Sequence, residues 1–459
     1  MQEQNLSLNE IIKNQKIFFK AGMTKDVNYR IKVLNKLKEL IKENEDEILN
    51  ALYLDLGKSK AEAYMSEISP VLSEIDVMLK GVKEWSKPVK AKHNLITCTA
   101  KNMIYTEPYG TVLIISAWNY PFTLSFMPLI GALATGNTVI LKQSEHSVNT
   151  SKLICKMLND NFSSIHIYAL NPDITPEELW SEKYDYIFYT GSAKVGRLVM
   201  AEAAKTLTPV SLELGGKSPC IVEKSAKLPL AAKRIIRGKL MNAGQTCIAP
   251  DYLLVDNKIK DKFISLLAEE IKNQYPDALN NDTYPKIINE SQFTRLVGLI
   301  DGIKNKIGGK YDKTTGKIEP VIIPDADFSS EVMKEEIFGP ILPVIGYDDI
   351  AEITEKLRTG EHPLACYVFG EKKALAQKII NEISFGGGCV NDCLLQFSNP
   401  NLPFGGVGNS GMGQYHGKYS FETFSRKKPV VYNSSVIDFK FGYAPFDEKK
   451  FELFKKIFK

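Results

Sequence analysis

No stretch of eighteen consecutive apolar residues occurs in this 459-residue chain, so no membrane-spanning helix is expected. Residues 1–20 are polar and lack the apolar core of a secretory signal, so no leader peptide is expected. Charge of one sign is scarce as well: 58 lysines and arginines stand against 54 acidic residues, a formal +4, with no basic stripe. A nucleic-acid partner calls for such a stripe and is excluded. Zinc-type cysteine spacing, internal repeats and low-complexity segments are also missing. The seven cysteines (Cys98, Cys155, Cys220, Cys247, Cys366, Cys389 and Cys393) are odd in number and scattered. They read as reduced thiols of a cytoplasmic protein.

What is present is an ordinary globular composition, 44% apolar and 24% charged, in a chain long enough for two or three domains. Ile31, Leu34, Leu37, Ile41, Ile48 and Leu52 recur at helical spacing, which predicts one long amphipathic helix over 28–53 stopped by Gly57. A second helix is expected over 60–85. From Gly110 the texture becomes short β-rich runs separated by helical stretches: TVLIIS (111–116), TVILK (138–142), IHIYAL (165–170), YIFYT (186–190) and PCIV (219–222). A further alternation runs through LLVD, a helix over 259–273, PVIIP and ILPVIGY (341–347). Together they predict two α/β domains with parallel sheets, meeting near residues 212–216. Residues 88–108 and those after about 415 are weakly patterned, as an arm or interface element would be.

Cys247 lies among Gly244, Gln245 and Thr246, where a packing cysteine would prefer aliphatic neighbours. A nucleophilic thiol needs polar surroundings and room for a substrate carbon. Glu213 closes a strand between Leu212 and Leu214, just before Gly215 and Gly216. It is either a capping or charge-pairing carboxylate, or a partly buried one whose raised pKa suits a general base. YIFYTGSAKVG reads as strand, turn and helix, with Gly191 at the turn, Ser192 as N-cap and Gly196 leaving space beside the first helical turn. That is a plain β–α turn or a seat for a pyrophosphate. In GNTVILKQSEHS, Lys142 ends a strand, Ser144 is the expected N-cap and Glu145 falls in the first helical turn. The two charges form a surface salt pair or bind ribose hydroxyls. AWNYPF aims the Asn119 amide from a strand end, EEIFGP sets Glu336 and Phe338 before a Gly-Pro turn, and residues 401–417 form a glycine-dense loop that packs between domains or closes over a substrate.

The set AWNYPF, LKQSE, FYTGS, LELGGKSP, GQTC, EEIFGP and LPFGGVGNSGMG resembles the NAD(P)-dependent aldehyde dehydrogenase superfamily in order and spacing along nearly the whole chain. The segment from Lys25 to Tyr64 is similar to the class 3 group, which takes fatty and aromatic aldehydes. The resemblance implies a Rossmann-like cofactor domain (1–87 and 109–212), a second α/β catalytic domain (213–414) and a small β oligomerisation arm (88–108 and 415–445). It assigns Cys247 as nucleophile, Glu213 as general base and Asn119 as oxyanion donor. Lys142 and Glu145 fall to the adenosine ribose, Gly191, Ser192, Val195 and Gly196 to the pyrophosphate turn, and Glu336 with Phe338 to the nicotinamide ribose and ring. Tyr120, Met241 and Thr246 are expected to line the substrate path. The expected cofactor is NAD, with NADP tolerated, because a carboxylate at Glu145 suits a ribose 2′-hydroxyl. The expected assembly is a homodimer. Gln143 stands where the family has proline, so the turn that presents Lys142 to the cofactor lacks the stiffening of a fixed φ.

The last fourteen residues, FDEKKFELFKKIFK, put Phe451, Phe454 and Phe458 on one helical face with lysines around the other. This basic amphipathic tail (446–459) is either docked on its own protein or rests peripherally on a membrane; no integral anchor is expected. A coenzyme A-acylating enzyme on the same scaffold would not need a base at position 213. A silent binding protein would not need Cys247, Glu213 and Asn119 together.

Overall fold

The computed structural model describes residues 6–458. The first five residues of the expected cofactor portion and Lys459 of the tail lie outside it. Two parallel sheets build the larger of two compact units, which runs through Trp85 and then over Pro108–Ser425. The first sheet has the order Gly411–Met412, Val210–Glu213, Tyr186–Thr190, Thr111–Ile115, Thr138–Lys142, Ile167–Ala169. All its pairings are parallel except that of the short Gly411–Met412 edge. The second sheet has the order Ile307–Gly308, Val321–Ile323, Ile341–Tyr347, Tyr252–Asp256, Pro219–Val222, Ala365–Phe369, Gly387–Val390, again parallel but for its first strand.

These strands are apolar runs because parallel sheets are covered on both faces. Tyr186–Thr190, Tyr252–Asp256 and Ala365–Phe369 are buried at every position. The helix Pro121–Thr135 is likewise buried along its whole length, with proline in its first turn and Gly136 past its end at φ 95°. Two α/β sheets, a Rossmann-like one and a second one, match the expected fold class. Ala365–Phe369 and Gly387–Val390 join the second sheet beyond the strands expected from sequence.

Two helical expectations change in detail. The long helix over 28–53 is two helices, Val27–Glu43 and Glu45–Leu56, joined at Asn44 and stopped by Gly57 at φ 66°. Their apolar faces keep one periodicity across the break, which is why the pattern read as continuous. Over 60–85 the chain is helical but passes through a five-residue π turn, Tyr64–Ile68.

The smaller unit holds Ser86–Glu107 and the chain from Arg426 onward. Its sheet has the order Val89–Lys90, Lys101–Pro108, Ser425–Tyr432. Residues 415–425, expected in the arm, belong to the larger unit, where Tyr415, Phe421 and Phe424 are buried and Phe424 lies 5.5 Å from the Phe188 ring. Aromatic burial, invisible as a short-range pattern, moves that boundary. The tail forms the helix Glu448–Ile457, capped by Asp447, and none of its residues is buried. Within the smaller unit the Phe454 ring lies 6.3 Å from that of Phe441 and 6.4 Å from that of Phe446.

Ser144 is not the N-cap expected of it. The helix begins at Val148, and Glu145 lies in the preceding turn. Asp55, at the end of Glu45–Leu56, satisfies the first turn instead. Its Oδ1 accepts from the Asn149 backbone (3.0 Å) and side-chain amide (2.8 Å), and its Oδ2 from the Thr150 backbone (2.8 Å) and hydroxyl (2.7 Å). Asp55→Ala is expected to destabilise the protein by about 2 kcal/mol, the upper end of N-cap losses. Thermal unfolding checks this, with Asp55→Asn retaining part of the stability.

Candidate active site

A cavity of about 410 Å³ in the larger unit brings together Asn119, Tyr120, Glu213, Met241, Thr246 and Cys247. Asn119 and Tyr120 arrive on the loop after the first-sheet strand Thr111–Ile115, and Glu213 ends the strand Val210–Glu213. Cys247 follows a tight turn in which Asn242 and Ala243 sit at φ 53° and 51° and Gly244 at 78°. A Cβ on Gly244 would lie 2.3 Å from the carbonyl oxygen of Gly339, so only glycine lets the GQTC and EEIFGP segments touch.

The polar neighbours of Cys247 are spent on fixing this turn. Gln245 donates from Nε2 to the carbonyls of Asn242 (3.0 Å) and Lys286 (3.1 Å), and its Oε1 accepts from Ile288 N–H (3.0 Å). The Gln245 carbonyl accepts from Asn119 Nδ2 (3.0 Å) and Asn242 Nδ2 (3.2 Å). The Tyr120 hydroxyl lies 2.7 Å from Thr246 Oγ1. Cys247 itself is half-buried and opens on the cavity. Burial pushes its thiol pKa up, and the carboxylates of Glu336 and Glu213 push it further, so the thiol keeps its proton until a base takes it.

Glu213 is 2% exposed, and neither carboxylate oxygen has a hydrogen-bond partner among the described residues. Desolvation raises its pKa well above the ordinary carboxylate range. Its backbone is held from both sides: Gly191 N–H donates to its carbonyl (2.9 Å), and Gly411 pairs with it across the sheet edge. Gly411, at φ 144°, has no room for a side chain, since a Cβ would lie 2.1 Å from the Leu212 carbonyl oxygen. Within the glycine-dense loop, Gly411–Met412 thus form an edge strand of the first sheet, while Phe404 and Tyr415 of the same loop line the cavity. Thr190 Oγ1 and the Tyr415 hydroxyl, both facing the same cavity, are two further buried polar atoms without partners. Sequence reasoning did not single out either one, because nothing in their spacing distinguishes them from core residues.

The expected cofactor residues lie at the carboxyl ends of the first-sheet strands and beside Cys247. Ser192 caps the helix Ala193–Lys205, its Oγ accepting from Val195 N–H (3.3 Å), and both residues are exposed at that helix start. Gly196 is buried, and the group lying close to it is the Leu214 side chain, 2.7 Å from where a Cβ would be. Lys142 Nζ donates to Glu145 Oε2 (2.6 Å). Partial burial works against it, yet this bond from Lys142 holds the Glu145 carboxyl below its usual range. Gln143 is fully buried, its Oε1 accepting from Cys155 Sγ (3.8 Å) and its Nε2 without a hydrogen-bond partner among the described residues. Glu336 meets the glycine pair: a Cβ on Gly215 would lie 2.1 Å from its Oε2. Burial and then Asp251 push its pKa up to about 8. Phe338, at φ 53°, sets its ring edge-on to Trp118, 5.3 Å between centroids. An exposed helix N-terminus, a paired lysine and carboxylate at a strand end, and a carboxylate beside the thiol fit a dinucleotide. Among the described residues no cluster of His, Cys, Asp or Glu fits a metal ion.

Because the folded protein binds the Glu213 proton more tightly than the unfolded chain does, stability falls as pH rises above the ordinary carboxylate value of 4.5. Glu213→Gln removes that burden. The variant is expected to unfold at a higher temperature than the native protein at pH 8, the two converging as the pH drops toward the carboxylate range. Paired thermal scans across that interval check it.

A family model described as the aldehyde dehydrogenase family matches residues 4–430. The 4,4'-diaponeurosporen-aldehyde dehydrogenase of Staphylococcus aureus is 42% identical over 97% of this chain and 98% of its own length. The dimeric NADP-preferring aldehyde dehydrogenase of Rattus norvegicus is 43% identical over 93% of this chain and 95% of its own. A solved structure of substrate-bound Staphylococcus aureus AldH superimposes with a TM-score of 0.95 at 41% identity, covering 99% of this chain and all of that one. With fold, motifs and full-length relatives in agreement, the chain belongs to the aldehyde dehydrogenase family and is an oxidoreductase acting on aldehydes.

Proposed function

We propose that this chain oxidises apolar aldehydes, medium- to long-chain aliphatic or aromatic, to carboxylic acids with NAD, through a thiohemiacetal and then a thioester on Cys247. The observation that carries this reading is the shared cavity: a thiol, an unpartnered carboxylate and an anchored amide face one space whose other walls, such as Met65, Leu124, Met127, Ile248 and Phe404, are carbon.

Aldehyde carbon gives up hydride readily only once it is tetrahedral, so the sulfur attacks first. Glu213, a stronger base for being desolvated, takes the Cys247 proton through water. Asn119 has two amide hydrogens and spends one on Gln245, leaving the other for the developing oxyanion beside the Cys247 N–H. Such a donor contributes about 2.7–4 kcal/mol to the transition state. NAD, when bound, supplies the hydride acceptor; Lys142, Glu145, the turn from Gly191 to Gly196, Glu336 and Phe338 are the residues that would hold it. The Glu145 carboxylate disfavours a 2′-phosphate, which makes NAD the better fit and NADP the tolerated one. Glu213 then directs water at the thioester, releasing acid instead of handing the acyl group to coenzyme A.

We place the protein in the cytoplasm as a homodimer. All seven cysteines are free thiols, and the rat relative is described as dimeric. The tail is read as a peripheral membrane contact. Phe451 on the helix Glu448–Ile457 and Phe458 just past its end are about half exposed, with Lys449, Lys455 and Lys456 in the same helix.

Rapid quench of enzyme, NAD and nonanal followed by intact-mass analysis should trap an acyl adduct at Cys247. Glu213→Gln should slow both the formation and the hydrolysis of that adduct, and Cys247→Ala should show none, with turnover lower by roughly a thousandfold or more. Normal turnover of Cys247→Ala, or acyl-CoA outpacing free acid when CoA is supplied, would sink the reading. Separately, the protein should pellet with anionic vesicles at low salt and stay in the supernatant once Phe451 and Phe454 are changed to Ser.

A further inference from the structure

Lys58, together with Glu62 and Glu67 of the helical stretch between Ser59 and Ser69, makes three charged side chains that turn inward. The Lys58 and Glu67 side chains are wholly buried and paired, Nζ donating to Oε1 at 2.6 Å. The Lys58 ammonium also donates to the Asn119 carbonyl (3.1 Å) and stands 3.9 Å from the centroid of the Tyr120 ring. Glu67 Oε2 accepts from Thr123 N–H (2.9 Å), in the first turn of the helix Pro121–Thr135 that follows the loop. Glu62 Oε1 accepts from Asn242 N–H (2.6 Å), in the turn before Cys247. The π turn Tyr64–Ile68 contains Glu67; such turns shift the phase of a helix and recur at functional sites.

Sinking an ammonium and a carboxylate into a core is a poor way to gain stability, since apolar residues of the same volume do as well or better. What the pair provides is direction. A lysine ammonium has three donors: one is taken by Glu67, one by the Asn119 carbonyl, and the remaining charge faces the Tyr120 ring. The Asn119 carbonyl is gripped a second time by Asn242 Nδ2 (2.8 Å). Lys58 therefore holds the backbone of the very residue whose side chain reaches the Gln245 carbonyl.

We propose that Lys58, anchored by Glu67, is a positioning residue for aldehyde oxidation, fixing the Asn119–Tyr120 backbone so that the Asn119 amide meets the oxyanion formed above Cys247. This rests on the reading of Asn119 as oxyanion donor. Lys58 touches neither substrate nor sulfur; it acts through Asn119.

The test is a kinetic cycle on the full-length protein with NAD and nonanal. Lys58→Met is combined with Glu67→Gln, so that no lone charge is left buried. In that background kcat is expected to fall on the order of tenfold to a hundredfold, with the KM for NAD unchanged. Adding Asn119→Ala should cost less than about tenfold more, against roughly 10²–10³-fold in the native background, because both changes remove one oxyanion contact. Glu67→Gln alone, nearly isosteric, serves if the paired change does not fold, and should give a smaller loss in kcat with the same failure of additivity. An unchanged kcat in the folded variants, or an Asn119→Ala loss of equal size in both backgrounds, overturns the role of Lys58. A native-background Asn119→Ala with full kcat instead overturns the oxyanion reading, and this proposal falls with it.

Discussion

A hydrogen bond from Asn119 Nδ2 to the carbonyl of Gln245 joins two loops 126 residues apart in the chain, and the site depends on that joint. On one side lies the first sheet, which delivers Asn119 and, two strands away, Glu213. On the other lies the turn that presents Cys247 and leads into the second sheet through Tyr252–Asp256. The contact of Tyr120 with Thr246 doubles the joint, and Asn242 binds both the Asn119 and Gln245 carbonyls. The relation of thiol to carboxylate is thus set by backbone carbonyls held in place, not by a direct bond between the two reacting groups.

The second constraint is desolvation. Cys247, Glu213 and Glu336 all have pKa values raised first by burial. Two carboxylates near one thiol oppose its ionisation. In the mechanism proposed above, the thiol is activated only when its proton can leave, which couples the first bond made to the base that later prepares water. Glu213, kept apart from hydrogen-bond partners in this way, weakens the fold, and its place in the cavity that Cys247 also lines marks where stability has yielded to chemistry.

Much of this was legible along the chain. The short apolar strands were readable because both faces of a parallel sheet are covered, and the helix stop at Gly57 because its left-handed φ favours glycine. Cys247, Glu213 and Asn119 stood out because each breaks the local pattern: a thiol among polar residues, an acid among leucines, an amide after a strand. What was not legible is what long-range contact decides. Asp55 caps a helix 94 residues away, so the local Ser144 signal misled. The pattern across Asn44 could not show a break that leaves the apolar face in register. Residues 415–425 joined the larger unit through aromatic packing, and nothing in the local pattern set Lys58 and Glu67 apart.

The antiparallel pairing of Gly411–Met412 with Leu212–Glu213 has a consequence for how the molecule is made. The edge of the first sheet is finished by residues that leave the ribosome about two hundred positions after the strand they cover. Until then Val210–Glu213 is an open edge, so this side of the first sheet can be completed only once the distant segment has been made and has folded back onto it.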